Sequence, residues 1–184
     1  MDSRIRYVVF IASLLICLSS SPAPFANARA SPIVRGVCKQ ARDKLGRDYK
    51  QCIRALWRDT PVRLASNLKD LDIAILKLAL ANAGQSKAFF ESMLNTTNSV
   101  KGTKAIKQCV SSYDFALGGF VFTIQGVNDG DKSSSEVLTQ VQDEFVGCER
   151  ALTFDRVQLP NLLSAKHFLT ILFRDVALLV TSQL

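Results

Sequence analysis

The sequence of 184 residues contains one histidine, one tryptophan and two methionines. A single imidazole removes most routes to a zinc centre, which draws on close cysteine pairs or on several histidines. No two cysteines have C-x₂₋₄-C spacing, so no metal is expected. The same shortage starves acid–base catalysis, in which histidine is the commonest participant. Sustained apolar/polar alternation is missing, which argues against a β-rich fold. No stretch reaches the roughly 20 apolar residues of a membrane-spanning helix.

The apolar run from Tyr7 to Leu18 is too short to span a bilayer. Arg4 and Arg6 precede it, and prolines and small residues follow it. That is the pattern of a secretory signal peptide. The expected cut follows Ala28-Arg29-Ala30, making residues 1–30 the signal and Ser31 the mature start. A cut after Ala26-Asn27-Ala28 is the near alternative, and a retained signal anchor is a third reading. The expectation is a secreted protein of the cell exterior with no membrane segment after processing. Residues 31–184 have the size of one domain.

Charge is lopsided. Residues 31–107 carry 15 basic and 6 acidic side chains, and residues 108–184 carry 5 and 9. Nucleic-acid binders mass basic residues on one recognition element with aromatics interleaved. Here the basic residues are spread among leucines and alanines, so no nucleic-acid partner is expected. They read as solvated helix faces, or as a means of holding the protein near an acidic polysaccharide.

Cys17 leaves with the signal, and Cys38, Cys52, Cys109 and Cys148 remain. An even count in an exported domain favours disulfides. Four cysteines allow three pairings, and sequence proximity selects Cys38–Cys52 and Cys109–Cys148. The first pair bounds CKQARDKLGRDYKQC, where Gly46 suits a turn between two short helices. A loop of that length contributes about 3 kcal/mol in the chain-entropy account of disulfides.

Four amphipathic helical patterns follow. From Asn67 to Asn95, Leu68, Leu71, Ile75, Leu78, Asn82, Ser86, Phe89 and Met93 recur every three or four residues, with Ile73, Leu76 and Leu80 as a second stripe. From Val100, the stripe is Ile106, Cys109, Tyr113, Leu117, Phe120, Ile124 and Val127, stopping at Asn128-Asp129-Gly130. A third opens at Ser133, where Glu136 suggests a capping box, and aligns Leu138, Val141, Phe145, Cys148 and Leu152. The fourth follows Leu159-Pro160-Asn161 and aligns Leu162, Ala165, Leu169, Leu172, Val176 and Leu179. Short polar links imply antiparallel neighbours. The expected fold is all-α: a disulfide-stapled helical hairpin (31–60) followed by an antiparallel four-helix bundle (61–184). With the turn centred near residue 130, Cys109 and Cys148 differ in height by only ~4–5 Å at 1.5 Å per residue, so a bridge between the second and third long helices is feasible.

The stapled hairpin, DLDIAILKLALANA, AIKQCVSSYDFAL and the late cysteine of FVGCERAL together resemble the plant family of pectin methylesterase and invertase inhibitors. The resemblance covers nearly all of the mature chain. It implies a disulfide-tied four-helix bundle behind a helical hairpin, and a secreted inhibitor of the cell wall or apoplast. It implies no enzymatic activity and no cofactor. The same unit also occurs as a pro-region ahead of pectin methylesterase catalytic domains, and this chain is expected to carry the inhibitor unit alone. Invertase inhibitors of the family carry Pro-Lys-Phe between the second and third long helices. The matching link here, NDGDKSSSE, has Lys132 but neither neighbour, which favours pectin methylesterase, bound 1:1 over its cleft, above a cell-wall or vacuolar acid invertase. TQVQDEFVGC also departs from the small-Ala-Leu-Thr run frequent in pectin methylesterase inhibitors. A basic wall-binding or antimicrobial module without an enzyme target is the reading from another class.

No catalytic constellation is found. His167 reads as a hydrogen-bonded structural residue, Asp143 and Glu144 as neighbours that point apart, and Gly118-Gly119 as a point of close helix approach. Phe115 and Phe122, seven residues apart, are either core or an exposed ridge that anchors a partner. Ser111, Ser112, Asp114, Gln140, Asp143 and Glu144 are either its polar rim or an ordinary solvated face. Asn95-Thr96-Thr97 is a glycosylation sequon. Arg42, Lys44 and Arg47 are either solvated or steer the hairpin toward the carboxylates of pectin.

Overall fold

The structure, a computed structural model, is described over residues 31–184 except residue 98. The expected signal segment and both expected cut sites lie outside the described residues. Within them are seven α-helices and no strand: α1 Pro32–Leu45, α2 Tyr49–Trp57, α3 Thr60–Leu64, α4 Leu68–Leu94, α5 Val100–Asp129, α6 Ser134–Phe154 and α7 Asn161–Thr181.

Local chemistry sets most of the boundaries. Ser31, Asp48, Asp59, Asn67 and Ser99 each accept a hydrogen bond from a backbone N–H three residues on, satisfying donors that a helix start leaves free. Asp59 and Pro61 turn the link after α2 into the extra short helix α3. Gly46 and Gly130 end α1 and α5 with φ of 66° and 75°, the left-handed region that glycine enters without steric cost. The capping box expected at Ser133 and Glu136 does not form. Instead the Asp131 carboxylate accepts both the Ser133 N–H (2.9 Å) and its hydroxyl (2.8 Å), an Asx-type turn that competes for the same groups.

The four long helices form a bundle in which α4 packs on α5 and α7, and α5 on α4 and α6. The Cys109–Cys148 bridge, with Cα atoms 4.6 Å apart, ties α5 to α6. Gly119 opposite Val141 and Gly126 opposite Ser134 continue the same antiparallel register. Cys38–Cys52, with Cα atoms 5.7 Å apart, ties α1 to α2. The hairpin leans on α7, where Arg47 pairs with Asp175 and the Gln40 and Gln183 side chains exchange hydrogen bonds.

The core contains Leu71, Ile75, Ile106, Tyr113, Phe120, Leu138, Phe145, Leu172 and Val176, all fully or almost fully buried. On α6 the whole expected stripe is inside. In the second half of α4 the buried face turns by one residue, to Ala79, Ala83 and Phe90 in place of Leu78, Asn82 and Phe89. In the first half of α7, Leu162 and Ala165 are exposed, and Leu163, His167 and Thr170 are buried instead.

Candidate functional site

α5 has a wet side. Ser111, Asp114, Phe115, Gly118, Val121, Phe122 and Gln125 are exposed along it, at the three- and four-residue spacing of one helix face. Phe115 is 43% and Phe122 48% exposed, so the core reading of these rings does not hold. Gly118 sits between them and nothing lies within 4 Å of where its Cβ would be, so the two rings flank a bare stretch of backbone. Gly119, one residue on, does the opposite job: a Cβ there would meet Val141 at 2.7 Å, and its absence lets α6 close against α5. The two glycines thus have separate roles, one outward and one inward.

The rim expected from sequence divides in two. Ser111, Asp114, Gln140 and Asp143 are exposed. Ser112 is fully buried and donates a 3.0 Å hydrogen bond to Glu144, so this pair joins α5 to α6 and Ser112 cannot line an outer rim. Asp114 pairs with Lys87 of α4 at 2.9 Å, and Lys87 also reaches Glu91 at 3.1 Å. These two carboxylates hold the Lys87 ammonium above its ordinary pKa, Asp114 contributing most. Helical register alone singles out Val121 and Gln125 as further members of this face. Neither is a large aromatic, so composition gives no sign of them and only their spacing from Gly118 and Phe122 does.

His167 is a core residue. Its Nε2 lies 3.2 Å from Glu149 and its Nδ1 lies 2.6 Å from the Tyr113 hydroxyl, inside a ring of Phe90, Tyr113 and Phe145. A carboxylate only accepts, so in the neutral ring Nε2 carries the proton and Nδ1 accepts from Tyr113. The hydrogen bond from His167 holds the Glu149 carboxyl below its ordinary value. Both ring nitrogens are used in joining helices. Among the described residues no group of three or more His, Cys, Asp and Glu side chains could hold a metal, and no helix is long and apolar enough to cross a membrane.

Asn95 is exposed at the end of α4, with its sequon in the link to α5. On the hairpin, Arg42 pairs with Asp43 and lies over the Tyr49 ring, and Arg47 pairs with Asp175. Two of the three basic residues expected to face a polyanion are therefore already engaged.

The helical bundle has a counterpart among known families. The family model for plant invertase/pectin methylesterase inhibitors matches residues 32–164, and the chain belongs to that family. Its members are enzyme inhibitors rather than enzymes, which makes this chain an inhibitor of pectin methylesterase or invertase. The fold is similar to the crystal structure of a pectin methylesterase inhibitor from Arabidopsis thaliana, with a TM-score of 0.60 and 17% identity over 84% of this chain and 97% of that one. A search of curated protein sequences finds no match.

Proposed function

We propose that this protein is a secreted inhibitor of pectin methylesterase that binds 1:1 and non-covalently, laying the outer face of α5 and the adjoining edge of α6 over the enzyme's cleft. The observation that carries the reading is the pair of exposed rings, Phe115 and Phe122, around the bare backbone of Gly118. Large aromatics left in water on a rigid helix are where binding energy concentrates when a partner covers them. Ser111, Gln140 and Asp143 provide exposed polar groups around them, and the Cys109–Cys148 bridge holds the two helices in register before docking. Such pre-organisation lowers the entropic cost of association. The link NDGDKSSSE, without the Pro-Lys-Phe of invertase inhibitors, favours the esterase over an invertase.

The test is an inhibition titration of purified pectin methylesterase. Activity should fall to its minimum near one equivalent of inhibitor, and a purified acid invertase should keep its activity. Phe115→Ser with Phe122→Ser should raise the inhibition constant at least 100-fold while circular dichroism and melting temperature stay near parental. Full inhibition by that double variant would overturn the assignment of this face.

A further inference from the structure

Residues 31–66 carry nine Lys and Arg against three Asp. All three carboxylates are in use: Asp43 pairs with Arg42, and Asp48 and Asp59 cap α2 and α3. Seven of the nine cations have no ion pair among the described residues, and three of the seven fall in one line. Lys50 and Arg54 of α2 and Arg58 at its C-terminal cap stand at four-residue intervals, forming an exposed row with a rise of about 6 Å between neighbours. Like charges at that spacing repel, and none of the three has an ion pair among the described residues. Beside them runs the parallel row Tyr49, Ile53 and Trp57, half-buried. Arg35 of α1 closes the far wall of an open groove of about 830 Å³ between these rows. Arg54 and Arg58 also line a second groove, of about 520 Å³, between α2 and the first half of α7.

The geometry points to a binding site on the α1–α2 hairpin for an extended uronate chain, the de-esterified form of a pectic polysaccharide. A row of cations at regular spacing along an open groove fits a linear polymer with a carboxylate on each unit rather than a compact anion. Guanidinium forks donate paired hydrogen bonds to a carboxylate, and the half-buried rings that line the groove offer apolar surface to a sugar face. The family's members are extracellular cell-wall proteins, where such a chain is the abundant polyanion. Methyl esterification removes the charge, so the site discriminates by degree of esterification. The site is separate from the α5 face and stands whichever enzyme is inhibited. On the esterase reading it would concentrate the inhibitor where the enzyme's product accumulates.

Trp57, the sole tryptophan of the chain, lies in the groove and reports its occupancy. Titration with de-esterified oligogalacturonate at low salt should give a saturable change in its fluorescence. The affinity should fall as salt rises. A fully methyl-esterified oligomer should give no change. Arg54→Gln with Arg58→Gln should weaken binding at least tenfold, as should Arg35→Gln with Lys50→Gln. Lys101→Gln with Lys104→Gln, which removes the same charge from the exposed start of α5, should leave it within twofold. Circular dichroism of each variant checks that the fold is kept. No response to the acidic oligomer, an equal response to the esterified one, or equal weakening by the α5 variant would overturn the site. Equally tight binding of dextran sulfate would overturn uronate as its ligand. None of these measurements contains an esterase, so a failure here leaves the inhibitor reading untouched.

Discussion

The Tyr113 hydroxyl and His167 Nδ1 stand 2.6 Å apart in the middle of the bundle, linking α5 to α7. α5 and α7 are diagonal in the bundle, so this bond crosses the core. Removing the hydroxyl leaves Nδ1 without its donor, and an orphaned buried polar atom costs about 1–3 kcal/mol. Tyr113→Phe should therefore lose about that much in urea-induced unfolding, although it adds no volume and creates almost no cavity. Inhibition measured below the transition should be unchanged, because the bond lies behind the binding face rather than on it.

Gly118 and Gly119 allow a sharper comparison, since they are adjacent and differ only in direction. A methyl on Gly119 would lie 2.7 Å from Val141 Cγ2 and 3.4 Å from Val137 Cγ1. Overpacking of this kind costs about 1–3 kcal/mol. A methyl on Gly118 meets nothing within 4 Å, so Gly118→Ala should gain up to about 1 kcal/mol from helix propensity. Thermal unfolding of the two alanine variants should move in opposite directions.

Asp72 is buried on α4, where Oδ2 accepts a 2.7 Å hydrogen bond from Thr181 and Oδ1 has no partner. Burial pushes its pKa from 3.8 up to about 7, against a smaller opposite effect of the Thr181 bond. The folded state therefore holds a proton that the unfolded chain releases near pH 4. The contribution of Asp72 to stability should be full at about pH 4 and below, fall as pH rises from about 4 to about 7, and level off above that. A shift of this size corresponds to about 4 kcal/mol between the two ends. Asp72→Asn should flatten the dependence and melt higher than the parent at pH 8. A parental profile that rises from pH 4 to 7, with the variant parallel to it, would contradict this account.

How far the sequence could be read depended on how strongly each helix separates its faces. On α6 the apolar residues form one clear stripe between polar sides, so Leu138, Val141, Phe145, Cys148 and Leu152 are all inside. On α7 leucines occur on nearly every side, and periodicity alone cannot choose among them. The fold buries His167 and Thr170 because their polar atoms find partners, in Tyr113 and Glu149 for one and the Lys166 carbonyl for the other. On α4 the small residues Ala79 and Ala83 lie inside, where their size admits neighbouring helices, and a search for large apolar residues passes over them. The α5 ridge is less legible for the opposite reason. Aromatics are usually core, and only placing Gly118 and Ser111 on the same exposed face reveals that Phe115 and Phe122 are not. Ser112 lies three residues after Cys109 and four before Ala116, on the buried side of α5, whereas its partner Glu144 comes from another helix and no local pattern announces it.

The charged contact that seats the hairpin on the bundle converges on one carboxylate, beside the Gln40–Gln183 hydrogen bonds and the buried Val34 and Val37. Asp175 of α7 is almost fully buried and pairs with two guanidinium groups, Arg174 beside it and Arg47 from the link between α1 and α2. Arg174 is itself buried, and burial pulls its pKa below the ordinary arginine value while Asp175 opposes that pull. Arg47 keeps 28% of its side chain in solvent and can turn outward if released. The two ends of this cluster should therefore respond unequally. Asp175→Asn strands Arg174 in the interior and should cost about 3–5 kcal/mol. Arg47→Gln leaves the Arg174–Asp175 pair in place and should cost clearly less. Its effect should be local, appearing as faster amide exchange across α1 and α2 while the bundle helices stay protected. Equal losses from the two substitutions, spread evenly over all helices, would show that the hairpin and bundle unfold as one and that Asp175 is no hinge point between them.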